Sequence, residues 1–179
     1  FNLAESFYKQ AIIINKKVYS ENNPNVARNI KNLALLYQDQ NRFDIAEALH
    51  MQALSIRKKI LDPFHPSIAG SNNLLSLVFI AQKKYSKALQ YSRKATAIHR
   101  QRILRSQSAR SDSHIQERQS VRFAFLNNIG ILSRTIQSRL NNPMTLTEES
   151  LELSQLARNS GAAHALTQMS ARFAVGNDA

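Results

Sequence analysis

Apolar residues in this chain recur with helical spacing. Within residues 27–40, Ile30, Leu33, Leu36 and Tyr37 share one face of a 3.6-residue period. The pattern returns over residues 69–82, and both stretches follow a proline, Asn23-Pro24 and His65-Pro66. Proline suits a helix start, because the donor it lacks would have no intrahelical partner there. Two further helices are predicted over 43–59 and 85–102, each with alanines seven residues apart, Ala46 with Ala53 and Ala88 with Ala95. Small side chains at that spacing let neighbouring helices approach closely.

The pattern repeats at a fixed offset. Ala4, Ala46 and Ala88 are 42 residues apart, as are Ala11, Ala53 and Ala95, then Ile14, Ile56 and Ile98. Phe1, Phe43 and Tyr85 share that shift, and it joins Pro24 to Pro66, Ala27 to Ala69, Leu33 to Leu75 and Tyr37 to Phe79. A period of this length marks a repeat architecture. Each unit is a helix pair that cannot bury its apolar face alone, so the units must stack, and a stack presents an extended concave surface. The expected fold is an all-α solenoid.

The period holds over 1–104 and is then interrupted. Residues 105–118 are rich in Ser, Arg and Gln, and read as an insertion or a helix extension. Residues 119–179 read as degenerate helices that link to a downstream domain. There Phe125 to Leu132 resembles another first helix, with Asn128 standing where Asn32 stands, 96 residues on. Thr145 and Glu148 make a capping box for a helix reaching about Asn159, and a last helix is expected over 162–175.

Asn32-Leu33-Ala34-x-Leu36-Tyr37, Phe43, Ala46 and Ala53 resemble the tetratricopeptide repeat. The linkers Lys17-Val18-Tyr19 to Ala27 and Lys59-Ile60-Leu61 to Ala69 are similar to those of the long, kinesin-light-chain-like form. A HEAT or armadillo stack has a similar period but does not require these alanine and aromatic positions. The resemblance implies a right-handed superhelical solenoid of helix-turn-helix units that binds proteins. A second resemblance covers Glu149 to Ala174, whose Glu-Ser-Leu and Ala-rich stretches are similar to a segment of bacterial CHAT-type proteins. There it lies between the repeat array and a caspase-like peptidase domain. It implies that this chain is the N-terminal, regulatory part of a larger bacterial protein.

Composition narrows the chemistry. No cysteine is present, which excludes disulfides, thiolate metal sites and a cysteine nucleophile. The longest nearly apolar run, Leu74 to Ala81, is too short to span a bilayer. No phosphate-binding glycine loop, paired metal-binding histidines or nucleophile elbow occurs, so neither an enzyme, a metal nor a cofactor is expected. Ser6-x-x-Lys9 lies inside a repeat helix without companion motifs, and His65 before Pro66 reads as a capping or packing residue and not a catalytic one. A cytoplasmic location is expected.

Charge points towards an acidic partner. The net charge is +12, and residues 1–104 carry 16 basic against 6 acidic side chains. A solvated surface kept soluble by like charge explains the same excess. Lys16, Lys58 and Arg100 recur with the period near the expected ends of second helices, where cations complement the macrodipole. The alternative is a ridge that tracks nucleic-acid phosphates, although aromatics for base stacking are few.

The resemblance implies that first helices line a concave groove. With Leu33 and Tyr37 in the core, Arg28, Lys31, Asn32, Leu35 and Gln38 then face it. Gly70, Asn73, Leu74, Leu77 and Ile80 follow in the second unit, and Ala124, Asn127, Asn128, Ile131 and Arg134 in the third. The candidate peptide-binding residues are therefore Arg28, Lys31, Asn32, Gln38, Asn73, Asn127, Asn128 and Arg134. Each Asn offers a donor and an acceptor to an extended backbone, and the cations offer contacts to a carboxylate. Arg28 with Asn32 matches a spacing some family members use to clamp a C-terminal carboxylate, but Gly70 with Leu74 does not. The expected ligand is an internal, partly apolar and acidic segment. Self-association through open solenoid ends is a further expectation, with Phe7, Ile12 and Ile14 exposed at the N-terminal end.

Overall fold

The computed structural model describes residues 2–106, 121–131 and 148–155, and all regular structure among them is α-helix. Five helices follow in order: α1 (Asn2–Val18), α2 (Pro24–Asp39), α3 (Phe43–Ile60), α4 (Pro66–Ala81) and α5 (Tyr85–Ser106). Each packs on its neighbours in sequence, so the array is built from contacts between consecutive helices. The expected all-α repeat architecture is what the structure shows. Residues 1–109 and 110–179 form two compact units.

The two prolines sit at helix starts as the sequence predicts, and each is preceded by a working cap. The Asn23 side chain accepts a hydrogen bond from the Asn25 N–H at 2.8 Å. One repeat later His65 does the same chemistry with a ring nitrogen, Nδ1 accepting from the Ser67 N–H at 3.1 Å. Both first helices also stop in the same way. The Asn41 N–H donates to Gln38 O and the Arg42 N–H to Tyr37 O, each at 2.8 Å. Lys83 to Ile80 at 2.9 Å and Lys84 to Phe79 at 2.8 Å repeat the arrangement. This doubled bond closes the last carbonyls of a helix around a left-handed residue. Asn41 has φ 58° and Lys83 has φ 59°. Asparagine tolerates that region, whereas lysine carries a Cβ clash there with no side-chain compensation. The Arg42 guanidinium completes the first turn by lying 4.6 Å from the centre of the Tyr37 ring.

Alanine sets the spacing of the helices. Ala27, Ala46, Ala53, Ala69, Ala88 and Ala95 are all buried. Val26, Ala27 and Ile30 of α2 pack with Ala53 and Ile56 of α3. Leu33 and Tyr37 of α2 pack with Ala46 of α3 and Val78 of α4, which carries one repeat's core into the next. The Tyr37 hydroxyl donates to Glu5 Oε1 at 2.7 Å and so ties α2 back to α1. Phe79 is buried between α4 and α5, its ring centre 5.2 Å from that of Tyr91.

Helix α1 shows what an equivalent position looks like with no preceding helix among the described residues. Ala4 and Ala11 are only half-buried, while Phe7 and Ile14 are exposed as expected. Ile12 departs from that expectation: it packs against the Val26, Ala27 and Ile30 cluster, because it lies on the face of α1 turned to α2. Helix α5 runs to Ser106, beyond the expected end near residue 102. Arg100 therefore lies inside α5, and the macrodipole account holds for Lys16 and Lys58, in the last turns of α1 and α3, but not for Arg100.

In the second unit, residues 121–131 are helical, with Val121, Ala124, Phe125, Asn128 and Ile131 buried. Residues 148–155 are also helical, with Leu153 buried. The capping box at Thr145, the helix expected over 162–175 and most of the 105–118 segment lie outside the described residues.

Two stability measurements check this account. Phe79→Ala is expected to lower the unfolding free energy by about 3–5 kcal/mol in urea titrations, through the cavity left between α4 and α5. Lys83→Gly is expected to raise it by about 0.5–1 kcal/mol, because glycine adopts the left-handed turn without strain.

Candidate functional site

A cluster of cations gathers where α2, α3 and α4 meet. Arg28 and Lys31 stand one turn apart on α2, Arg28 exposed and Lys31 half-buried. Arg57 reaches across from α3 to the first turn of α4, where one terminal nitrogen donates to Ser67 O at 3.1 Å and to the Ser71 hydroxyl oxygen. Ser71 in turn donates to Ser67 O at 3.0 Å, so the guanidinium is held by both a backbone and a side-chain oxygen. The charges sense one another. Burial lowers the Lys31 ammonium from its ordinary value, and the nearby Arg57 and Arg28 lower it further. Burial followed by Arg28 acts on Arg57 in the same direction.

No carboxylate among the described residues pairs with them. Ion pairs among the described residues include Lys9 with Glu5, Lys16 with Glu21 and Lys84 with Glu47, and none of these involves Arg28, Lys31 or Arg57. Beneath the cations lies His50 of α3, buried, with Nε2 2.7 Å from Gln38 Oε1. Burial, Arg57 and Lys31 together bring its pKa down to about 4, so the ring is neutral near pH 7 and Nε2–H donates to Gln38.

The eight candidate residues are distributed unevenly. Arg28, Lys31 and Asn32 of α2 flank the seam, and Gln38 is drawn inward to hold His50. Asn73 of α4 is buried instead of open to the groove, and its Oδ1 has no hydrogen-bond partner among the described residues. Asn127 is half-buried, and Arg134 lies outside the described residues. Asn128 is fully buried, which corrects its expected place at an open surface. Val121, Ala124, Asn128 and Ile131 are spaced as Ala27, Ile30, Ala34 and Tyr37 are, an offset of 94 rather than 96. Asn128 therefore takes the core position of Ala34, and Ala124 and Ile131 are buried with it.

Arg57, His50 and Ser71 escaped the sequence reading. Their equivalents differ in kind, Asn15 and His99 for Arg57, and Tyr8 and Ser92 for His50. Self-comparison finds what recurs, and this cluster does not recur one repeat on, where Gly70, Asn73 and His99 stand.

The family model for the tetratricopeptide repeat matches residues 1–59 and 29–101. The chain belongs to the tetratricopeptide repeat family. This membership decides against the HEAT or armadillo alternative, and tetratricopeptide repeats are protein-interaction modules. Among solved structures, BtubC (BKLC) from P. vanneervenii is similar at 18% identity and a TM-score of 0.69, over 89% of this chain and 56% of that one. The chain thus spans little more than half the length of BtubC. A protein of Podosopora anserina described as a kinesin light chain with nearly identical TPR-like repeats is similar at 19% identity and a TM-score of 0.52, over 98% of this chain and 88% of that one. At these identities the likeness is one of fold, and it is the kinesin-light-chain-like form of the tetratricopeptide solenoid. Neither comparison bears on the CHAT-type resemblance. A comparison with curated proteins gave no match.

The depressed His50 pKa has a consequence in acid. Its folded value lies below the unfolded value near 6.5, so the unfolded chain binds the proton first. The stability that neutral His50 supports is present above about pH 6.5 and is lost as pH falls towards 4, by roughly 3 kcal/mol at most. Urea midpoints compared across that window should fall less steeply in His50→Gln than in the parent chain.

Proposed function

We propose that this tetratricopeptide array binds an extended segment of a partner protein across its first helices, and that the segment is acidic and partly apolar. The observation that carries the reading is the seam itself. Arg28, Lys31 and Arg57 stand together with no ion-paired carboxylate among the described residues. Leu74, Leu77 and Ile80 on α4 are half-buried and give such a segment apolar footing beside the cations. Because the helices are already formed, little ordering cost falls on the array when it binds.

Arg28, Lys31 and Asn32 are the contacts we assign to the first unit, with Gln38 acting through His50; Asn73, buried on α4, is not among them. In the second unit Asn127 and Arg134 are candidates considered by themselves. No described helix is long and apolar enough to cross a membrane, and the cytoplasmic location is a proposal. So is the place of this module as the N-terminal, regulatory or sensing arm of a larger CHAT-type bacterial protein, which rests on the sequence of 149–174.

The basic ridge of the nucleic-acid alternative is interrupted. Lys16 faces Glu21 at 3.5 Å and Arg100 is half-buried. A protein partner is therefore the better fit.

Selection of binding peptides from a displayed random library, followed by calorimetry on the recovered sequences, tests the reading. The double substitution Arg28→Ala, Asn32→Ala is expected to weaken binding at least ~10-fold, the loss of roughly one charge-assisted hydrogen bond. Unchanged affinity would remove the groove assignment.

A further inference from the structure

We propose that Arg28, Lys31 and Arg57 form a recognition site for a phosphate monoester dianion, carried as phosphoserine or phosphothreonine on the bound segment. The proposal rests on the groove reading above and adds the chemistry of one position in it.

Three features of the seam lead there. The first is charge. Arg28 and Lys31 flank Ala27 and Ile30 of α2, which pack on Ala53 and Ile56 of α3 beside Arg57, so three cations gather with no ion-paired carboxylate among the described residues, and two of them, Lys31 and Arg57, are half-buried. A single carboxylate would leave two of the three charges unanswered. A phosphate monoester, carrying close to two negative charges at neutral pH, leaves one and offers three acceptor oxygens to three donors. The second feature is rigidity. Arg57 spends one terminal nitrogen on Ser67 O and Ser71 Oγ, which fixes the guanidinium plane. No hydrogen bond to an acceptor among the described residues occupies its second terminal nitrogen, and a planar fork of this kind suits bidentate contact with phosphate. The third is uniqueness. One repeat later the corresponding positions hold Gly70, Asn73 and His99, so the cluster is not a structural requirement of the repeat. A single such site would fix the register of a segment that the asparagines alone would let slide.

The site also carries its own reporter. Buried His50 hydrogen-bonds to Gln38 within reach of the Arg57 and Lys31 charges. An anion that neutralises those cations removes part of what holds the ring neutral, so binding and protonation of His50 become linked.

Nuclear magnetic resonance titration of the whole chain, following the Arg57 side-chain N–H and the His50 ring, reads this directly. The probes are inorganic phosphate, O-phosphoserine, acetate and dimethyl phosphate, compared at constant ionic strength and neutral pH. Phosphate and phosphoserine are expected to shift both signals at least ~10-fold more tightly than acetate or dimethyl phosphate, and to raise the His50 pKa by about one unit. Lys31→Gln and Arg28→Gln should each weaken phosphoserine binding several-fold. Both side chains lie clear of the α3–α4 contact, so these variants keep the test alive if Arg57→Gln fails to fold.

Acetate binding as well as phosphate would overturn the proposal in favour of a carboxylate, and dimethyl phosphate doing so would favour a nucleic-acid backbone. No shift with millimolar phosphate, or shifts indifferent to Lys31 and Arg28, would remove the site. The groove reading fails separately, through peptide affinity that ignores Arg28 and Asn32, since the phosphate titration needs no partner.

Discussion

Close approach of helices at alanine is the constraint from which the rest of this molecule follows. Ala27 and Ala69 on the first helices, and Ala46, Ala53, Ala88 and Ala95 on the second, have almost no accessible surface. A methyl group is all that separates the backbones there, and a larger side chain would force the helices apart. The large residues then have fixed places to go. Ile30, Leu33 and Tyr37 fill the space between α2 and α3, Val78 reaches back from α4, and Phe79 closes the contact with α5. The array is a sum of neighbouring contacts, so α1, lacking a preceding helix among the described residues, leaves Phe7 and Ile14 in solvent.

The same spacing builds the seam. Because α3 packs on both α2 and α4, a long side chain at residue 57 can span from one first helix to the next. Arg57 binds the opening turn of α4 while standing close enough to Arg28 and Lys31 of α2 to be repelled by them. Like charges held together in a partly buried setting are a standing expense of the fold, since each disfavours the charged form of its neighbours. His50 shows how far that field reaches: with no charge of its own to lose, it stays neutral and joins α3 to α2 through Gln38. The arrangement places unbalanced positive charge on rigid elements, which is the condition under which an anionic ligand is bound without reorganisation.

Much of this was legible beforehand. Pro24 and Pro66 mark helix starts because proline's missing donor is harmless only there. The alanine ladder at an offset of 42 implies stacked pairs, since no isolated pair of such helices buries its stripe. The place of His65 before Pro66 left capping or packing open, and the structure shows the cap. Asn41 and Lys83, also one period apart, hold the left-handed turn between the paired helices, yet a lysine gives no local sign of positive φ. The extra turn of α5 was equally hidden, because Leu104 and Arg105 are as compatible with helix as with loop. Asn128 was misplaced by two residues of register, since an Asn in a helix carries no mark of which face is covered.

What the amino-acid sequence determined by itself is the architecture: helix positions, their pairing and their family follow from local periodicity and from matches at one offset, and both are one-dimensional quantities. What only the tertiary structure decided is the site. Arg28, Lys31, His50, Arg57 and Ser71 are spread over three helices and share no motif or repeat position. Their meeting depends on how α3 lies against α2 and α4, and on which rotations of those helices bury the alanines. Electrostatic consequence follows distance and burial, and a sequence specifies neither until the helices are packed.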